Sequence, residues 1–126
     1  MENFKLTRWK VLFHPEFQRE FDKLEVDVQD RIVAQAGLLE LEGPRLSRPY
    51  VDSLNSSRHP NMKELRFRGQ SGVWRIAFAF DPERQAVLLV AGNKEGQHEP
   101  RFYKTLIARA DDRFNDWLTI LERPGK

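Results

Sequence analysis

Two stretches of this chain alternate between apolar and polar side chains, and a glycine-flanked turn separates them. In Lys63 to Arg68, Leu65 and Phe67 share one side, while Glu64, Arg66 and Arg68 share the other. In Val73 to Phe80, Trp74, Ile76, Phe78 and Phe80 fall on one side. A period of two is the mark of a half-buried strand. The segment Gly69-Gln70-Ser71-Gly72 has the length and composition of a hairpin loop. With these four residues as the loop, Arg68 faces Val73, Phe67 faces Trp74 and Leu65 faces Ile76. Every apolar pair then lands on one face, as a sheet with one buried side requires. The same frame sets Arg66 directly opposite Arg75. Like charges in that position destabilise a sheet. A polyanion bound between them would offset the repulsion. A flanking acid such as Glu64, or a bulge that shifts the register, would also remove it.

The next hairpin continues the frame. Asp81 to Gln85 reads as its turn and Ala86 to Ala91 as a third strand of a meander. Phe78 is then expected opposite Leu88, and Ile76 opposite Val90. Beside Arg75 the second face carries Ala77, Ala79, Leu89 and Ala91, a floor of small and apolar residues. Such a floor admits a flat or strand-like ligand, or lies under a helix of this chain or under a partner protein.

The remainder is mostly helical. Trp9 to Phe13 reads as a short strand. His14-Pro15 opens a helix with apolar positions at Phe17, Phe21 and Leu24. Asp27 is the expected N-cap of a second helix, with Val28, Ile32, Ala36 and Leu39 as its stripe and Gly43-Pro44 as its stop. Residues 44–62, rich in Pro, Ser, Arg and Asn, read as a long surface loop, and a loop of that length in a small domain suggests function. Arg101 to Leu121 reads as a final helix, with Leu106, Ala110, Phe114, Leu118 and Leu121 inward and Pro124-Gly125 beyond its end. The expectation is one α+β domain over 1–126: a strand, a helical hairpin, a three-strand antiparallel meander and a C-terminal helix.

Composition narrows the chemistry. The 126 residues contain no cysteine, which excludes disulfides, thiolate metal sites and a cysteine nucleophile. The three histidines, His14, His59 and His98, are scattered, and neither a P-loop nor a Gly-x-Gly-x-x-Gly pattern occurs, so no metal or cofactor is expected. No apolar run is long enough to span a membrane, and Met1 to Lys5 lacks a signal-peptide pattern, so the expected location is the cytoplasm. Residues 45–104 hold 11 Lys/Arg against 6 Asp/Glu, so the middle of the chain is basic although the whole carries only +2. A basic centre suits a polyanion such as nucleic acid.

The cations cluster in the predicted map: Arg66, Arg68 and Arg75 on the sheet, Lys94 in the exit loop Gly92 to His98, Arg101 and Lys104 on the helix, with Tyr103 and His98 nearby. These residue types can grip RNA phosphates and stack a base. They can also support phosphodiester cleavage in which the RNA supplies its own 2′-hydroxyl as nucleophile. The protein then needs a proton acceptor, a proton donor and cations for the extra phosphate charge, and a Tyr or Lys of depressed pKa in a cationic site can exchange protons.

Four segments carry a family pattern: Lys63-Glu64-Leu65-Arg66, the Trp74 to Pro82 strand and turn, Val87 to Lys94, and Phe102 to Ala110. Together they resemble the RelE/HigB superfamily of type II toxin–antitoxin toxins, in its phage-derived HigB-like branch. The resemblance implies a RelE-like fold, a ribosome-dependent mRNA endoribonuclease that inhibits translation, and a helix-turn-helix antitoxin of HigA type. It implies catalytic positions at Arg66, Arg75 and Lys94 and, by looser matching, Tyr103 and Lys104; Arg68, His98 and Arg101 would bind RNA. The related ParE group shares the fold and resembles a gyrase inhibitor, and a degenerate module that only holds its antitoxin would look the same. Two positions depart from the branch: Glu95 follows Lys94 where relatives often have a second lysine, and Trp117 stands where many have histidine.

Overall fold

The computed structural model describes residues 8–70 and 72–123; Met1 to Lys5, Ser71 and Pro124-Gly125 lie outside them. The order is β1 (Lys10–Phe13), α1 (Pro15–Phe21), α2 (Val26–Glu42), a 3₁₀ turn (Gly43–Arg45), β2 (Val51–Ser53), β3 (Lys63–Gly69), β4 (Gly72–Phe80), β5 (Gln85–Asn93) and α3 (Glu99–Leu121). The strands form one sheet in the order β1-β5-β4-β3-β2. β1 runs parallel to β5, and the other neighbours are antiparallel. The fold is α+β. None of the described helices is long and apolar enough to cross a membrane.

The β3–β4 register is the predicted one: Leu65 faces Ile76, Phe67 faces Trp74, and Arg66 faces Arg75. The strands continue to Gly69 and Gly72, so pairing extends further into the expected four-residue loop, in the same frame. In β4–β5 the expected frame holds from Phe80 to Phe78, where Phe78 meets Leu88. A register shift between Ala77 and Phe78 then moves the rest by one, so Ile76 meets Ala91 rather than Val90. Leu89 and Val90 both turn toward α3, and Ala91 joins the opposite core. A bulge of this kind sets two residues against one and re-aims the chain beyond it.

Each face of the sheet has its own core. One is built under α1 and α2 from Phe17, Ile32, Leu39, Leu65, Ile76 and Phe78; the other lies under α3, where Phe102, Leu106, Ala110 and Phe114 cover Ala77, Ala79 and Leu89. The small-residue floor is therefore covered by a helix of this chain. Near the β3–β4 turn Arg66, Arg68, Val73 and Arg75 border an open hollow of about 370 Å³.

Local chemistry explains most boundaries. The His14 ring accepts a hydrogen bond from the Glu16 amide and caps α1. The N-cap of α2 is Glu25 rather than Asp27, which sits in the first turn, beside Arg31 and the Gln70 amide. Gly43 ends α2 with φ at 55°, and the Trp9 indole occupies the space its Cβ would need. Asp81 ties the second turn, accepting from the amides of Glu83 and Gln85. The segment 44–62 is not one long loop: it contains the 3₁₀ turn and β2, whose Val51, Asp52 and Ser53 pair with Leu65, Glu64 and Lys63.

Candidate functional site

Strand pairing brings Arg66 and Arg75 together, as the frame required, and a carboxylate of the chain lies between them. Glu64 Oε2 is 3.7 Å from Arg66 Nε, and Glu64 Oε1 is 3.8 Å from Arg75 Nε. The repulsion is offset from within, by the flanking acid, in place of an outside polyanion. Glu64 and Arg75 are both buried, with side chains 5% and 7% exposed. Arg66 is about one-third exposed and also lies 3.8 Å from Asp52 on β2. Asp52 in turn accepts a 2.8 Å bond from Arg48.

α3 closes the cluster. Arg75 Nε donates to the Tyr103 hydroxyl at 3.1 Å, and Arg75 Nη1 donates to the Trp74 carbonyl at 3.0 Å. Lys94 Nζ stands 5.8 Å from the centre of the Tyr103 ring and 3.2 Å from Glu99. The bulge and the close passage of Gly92 under Phe102 set this height: a Cβ on Gly92 would lie 2.8 Å from the Phe102 ring. Phe102 packs edge-on against Tyr103, with ring centroids 5.1 Å apart.

Burial sets the protonation states. It pushes the Glu64 carboxyl above the ordinary carboxylate range, against the opposing pull of the Tyr103 hydroxyl, Arg75 and Arg66. Burial also raises the Tyr103 phenol, and the neighbouring Glu64 carboxyl adds to this against the Arg75 guanidinium. A tyrosine of depressed pKa was the expectation for a cationic site; the shift runs the other way. Tyr103 is a neutral hydroxyl at physiological pH. Asp52 is held low by Arg48 and the Ser53 amide.

The cluster opens onto a trough. One hollow of about 360 Å³ is lined by Asp52, Glu64, Arg66, Lys94, Glu99 and Tyr103 among others. It shares Ser56, Tyr103 and Ile107 with a hollow of about 540 Å³ that also takes in Arg58 and Lys104. Arg66, Arg75, Lys94 and Tyr103 are thus brought together, with exposed Arg68 at the hairpin side. Lys104 is one step removed: it lines the larger hollow with Tyr103 and Arg58 and does not line the smaller one. Arg101 is not part of the cluster: it lines a separate hollow with Thr105 and Arg109 on the other side of α3. His98 is exposed at the start of α3 and its side chain makes no capping bond.

Of the two departures, Trp117 falls away from this centre, while Glu95 follows Lys94 in the chain. Glu95 is exposed, and its amide donates to Asn93 Oδ1. Trp117 donates from Nε1 to Asp81 at 2.9 Å, at the far end of β4. It lies about 21 Å along α3 from Tyr103 at the usual helical rise. Position 117 ties the helix to the second turn.

Sequence reasoning underweighted Glu64 and missed Asp52, Arg48 and Arg58. Glu64 shares its strand face with Arg66, a signal legible in the alternation. The other three lie in the segment read as a loop.

Comparison with known proteins agrees with this architecture. Residues 19–115 match the family described as phage-derived protein Gp49-like (DUF891). The chain is 46% identical over 108 residues to the Mycobacterium tuberculosis protein named "Putative toxin HigB3", covering 86% of this chain and 92% of that one. It is 46% identical over 101 residues to "Putative toxin HigB2" of the same organism, covering 79% of this chain and 49% of that one. A solved structure of the E. coli toxin RelE, a double arginine-to-alanine mutant in the free state, superposes with a TM-score of 0.61 at 17% identity, over 84% of this chain and 97% of that one. That likeness concerns the fold. By the extent of the family match and the identity to its relatives, the chain belongs to the phage-derived Gp49-like family.

Proposed function

We propose that the protein is the toxin of a type II toxin–antitoxin pair and that it cuts mRNA on the ribosome in the cytoplasm, held in check by a HigA-like helix-turn-helix antitoxin. The names of its relatives support the toxin part of this reading. The observation that carries the nuclease part is the arginine pair of β3 and β4, set beside Tyr103 and Lys94 at the wall of an open trough.

The chemistry is transesterification within the RNA. The 2′-hydroxyl loses its proton and its oxygen attacks the adjacent phosphorus. The bond from phosphorus to the 5′ oxygen breaks, and that oxygen takes up a proton. The products are a 2′,3′-cyclic phosphate and a 5′-hydroxyl end. Arg66 and Arg75 stabilise the added charge on the phosphate, the kind of preorganised electrostatics that dominates many such sites. Lys94 and Lys104 hold the strand or protonate the leaving oxygen. Tyr103 offers a neutral hydroxyl and a ring face. Arg68, His98 and Arg101 provide outer contacts to RNA, Arg101 from the far side of α3.

A second reading has an observation in its favour. Arg75 is nearly covered and already bonded to Tyr103, as in a sheet that only holds an antitoxin. Induction in a host cell, with growth followed and transcript ends mapped, separates the readings. Growth arrest with new cuts at in-frame codons supports the nuclease. DNA breaks with intact transcripts indicate a ParE-like gyrase inhibitor. Antitoxin binding with neither arrest nor cuts indicates the degenerate module.

A further inference from the structure

Transesterification needs a proton acceptor, and the arginines do not supply one. Arginine stays protonated at any working pH. Tyr103 is held neutral by its surroundings. Among the acids around the trough, Asp52 is occupied by Arg48 and the Ser53 amide and is correspondingly a weaker base. Glu99 is exposed and paired with Lys94. His98 stands outside the cluster.

Glu64 differs from all of these. Its side chain is 5% exposed, and its Oε1 makes no hydrogen bond among the described residues. Arg66 Nε, 3.7 Å from the other carboxylate oxygen, Oε2, is equally without an acceptor. A buried acceptor left unpaired is costly, and natural structures rarely tolerate one without cause. Here an unused acceptor and an unused donor, both atoms themselves buried, belong to two neighbouring residues that line the hollow with Asp52, Lys94 and Tyr103. A phosphate diester needs that pair of functions: a donor for a phosphate oxygen and an acceptor for the neighbouring 2′-hydroxyl.

We propose that Glu64 is the catalytic base, accepting the 2′-hydroxyl proton as the oxygen attacks phosphorus. The inference rests on the nuclease reading above and names a residue that reading leaves open. The proton passes to the Glu64 carboxylate. The phosphorus to 5′-oxygen bond breaks as that oxygen is protonated from Lys94 or Lys104, and Glu64 returns its proton to water after release. The groups facing Glu64 are Asp52 from β2, Arg66 from β3, Arg75 from β4 and Tyr103 from α3, with Lys94 across the hollow. Burial dominates over the arginines and lifts the carboxyl above its ordinary value, which makes the carboxylate a stronger base at neutral pH.

The test is single-turnover cleavage of mRNA on programmed ribosomes, across pH, with wild type, Glu64→Gln and Glu64→Asp. Binding is measured in parallel with mRNA carrying 2′-O-methyl groups, which cannot react. The wild-type rate is expected to rise with pH through one group titrating above the ordinary carboxylate range. Glu64→Gln lowers the rate about 10²-fold or more and abolishes that rise, because positioned acid–base groups contribute on this scale. It leaves binding of the methylated mRNA within about threefold, since glutamine keeps the shape and removes a negative charge facing phosphate. Glu64→Asp retains the pH rise at a reduced rate. A Glu64→Gln protein that cleaves as fast as wild type, or that loses binding in proportion to rate, overturns the proposal. So does a wild-type profile with no acid limb, which needs no variant to fold. Absence of cleavage by wild type overturns the nuclease reading and this inference together, whereas wild-type cleavage with an unaffected variant overturns only this one.

Discussion

Replacing Gly92 with alanine tests how the sheet sets the height of α3 over the arginine pair. Gly92 is the β5 partner of Arg75. An added Cβ would meet Phe102 Cε1 at 2.8 Å and Cζ at 3.0 Å, with Leu106 Cδ1 at 3.4 Å, where ordinary contact begins at 3.4 Å. The ring must retreat by more than about half an ångström from a place where it is 7% exposed and packed against Tyr103. Overpacking of this kind costs about 1–3 kcal/mol. Tyr103 moves with Phe102, which disturbs the 3.1 Å bond to Arg75; displacements near 1 Å can cost about 10²-fold in rate. Guanidinium denaturation should show a lower midpoint at unchanged slope, and mRNA cleavage should fall. Phe102→Leu, which shortens the obstructing ring, should couple favourably with Gly92→Ala by about 1 kcal/mol or more in a double-mutant cycle. A Gly92→Ala protein as stable as wild type, with additive behaviour beside Phe102→Leu, would refute the reasoning.

Three further outcomes follow from particular contacts. Arg75→Ala should abolish growth arrest and also lower stability by about 3 kcal/mol, because it strands the buried Glu64 with Arg66 as its remaining cation; Glu64→Gln added to it should restore much of the stability but not the arrest, read by denaturation and colony growth. Trp117→His should lower stability by about 1–3 kcal/mol through the lost bond to Asp81 and leave the cleavage rate of the folded protein unchanged, which a single-turnover assay checks. The Glu20 carboxyl is lowered from 4.5, first by its hydrogen bond from Arg113, so its stabilising contribution is present above pH 4.5 and is lost as pH falls through the lowered folded value. Arg113→Ala should therefore destabilise at neutral pH and converge on wild type in acid, as followed by denaturation midpoints against pH.

The arginine pair was legible because alternation and loop length together leave one register for β3 and β4, and apolar residues out of place would expose any slip. The β5 bulge was not legible. Leu88, Leu89, Val90 and Ala91 are all apolar, so the pattern does not say which neighbours share a face. β2 escaped notice because three residues, Val51 to Ser53, are too few to show alternation, and they form a strand only by pairing with β3. The burial of Glu64 depends on that strand and on Tyr103 from α3, contacts distant in sequence. Alternation places its side chain on the face of Arg66, while its missing hydrogen bond appears only in three dimensions. Position 117 shows the converse: a departure from a family pattern, visible in sequence, is a tie between α3 and the second turn in the fold.

The most direct measurement of the central claim is the chemistry of the RNA ends left by purified protein on ribosomes programmed with a defined mRNA. The account predicts cleavage giving a 2′,3′-cyclic phosphate upstream and a 5′-hydroxyl downstream, lost on Arg75→Lys, which keeps the charge but not the guanidinium that bonds Tyr103. Intact mRNA, or ends carrying a 5′-phosphate, would contradict it.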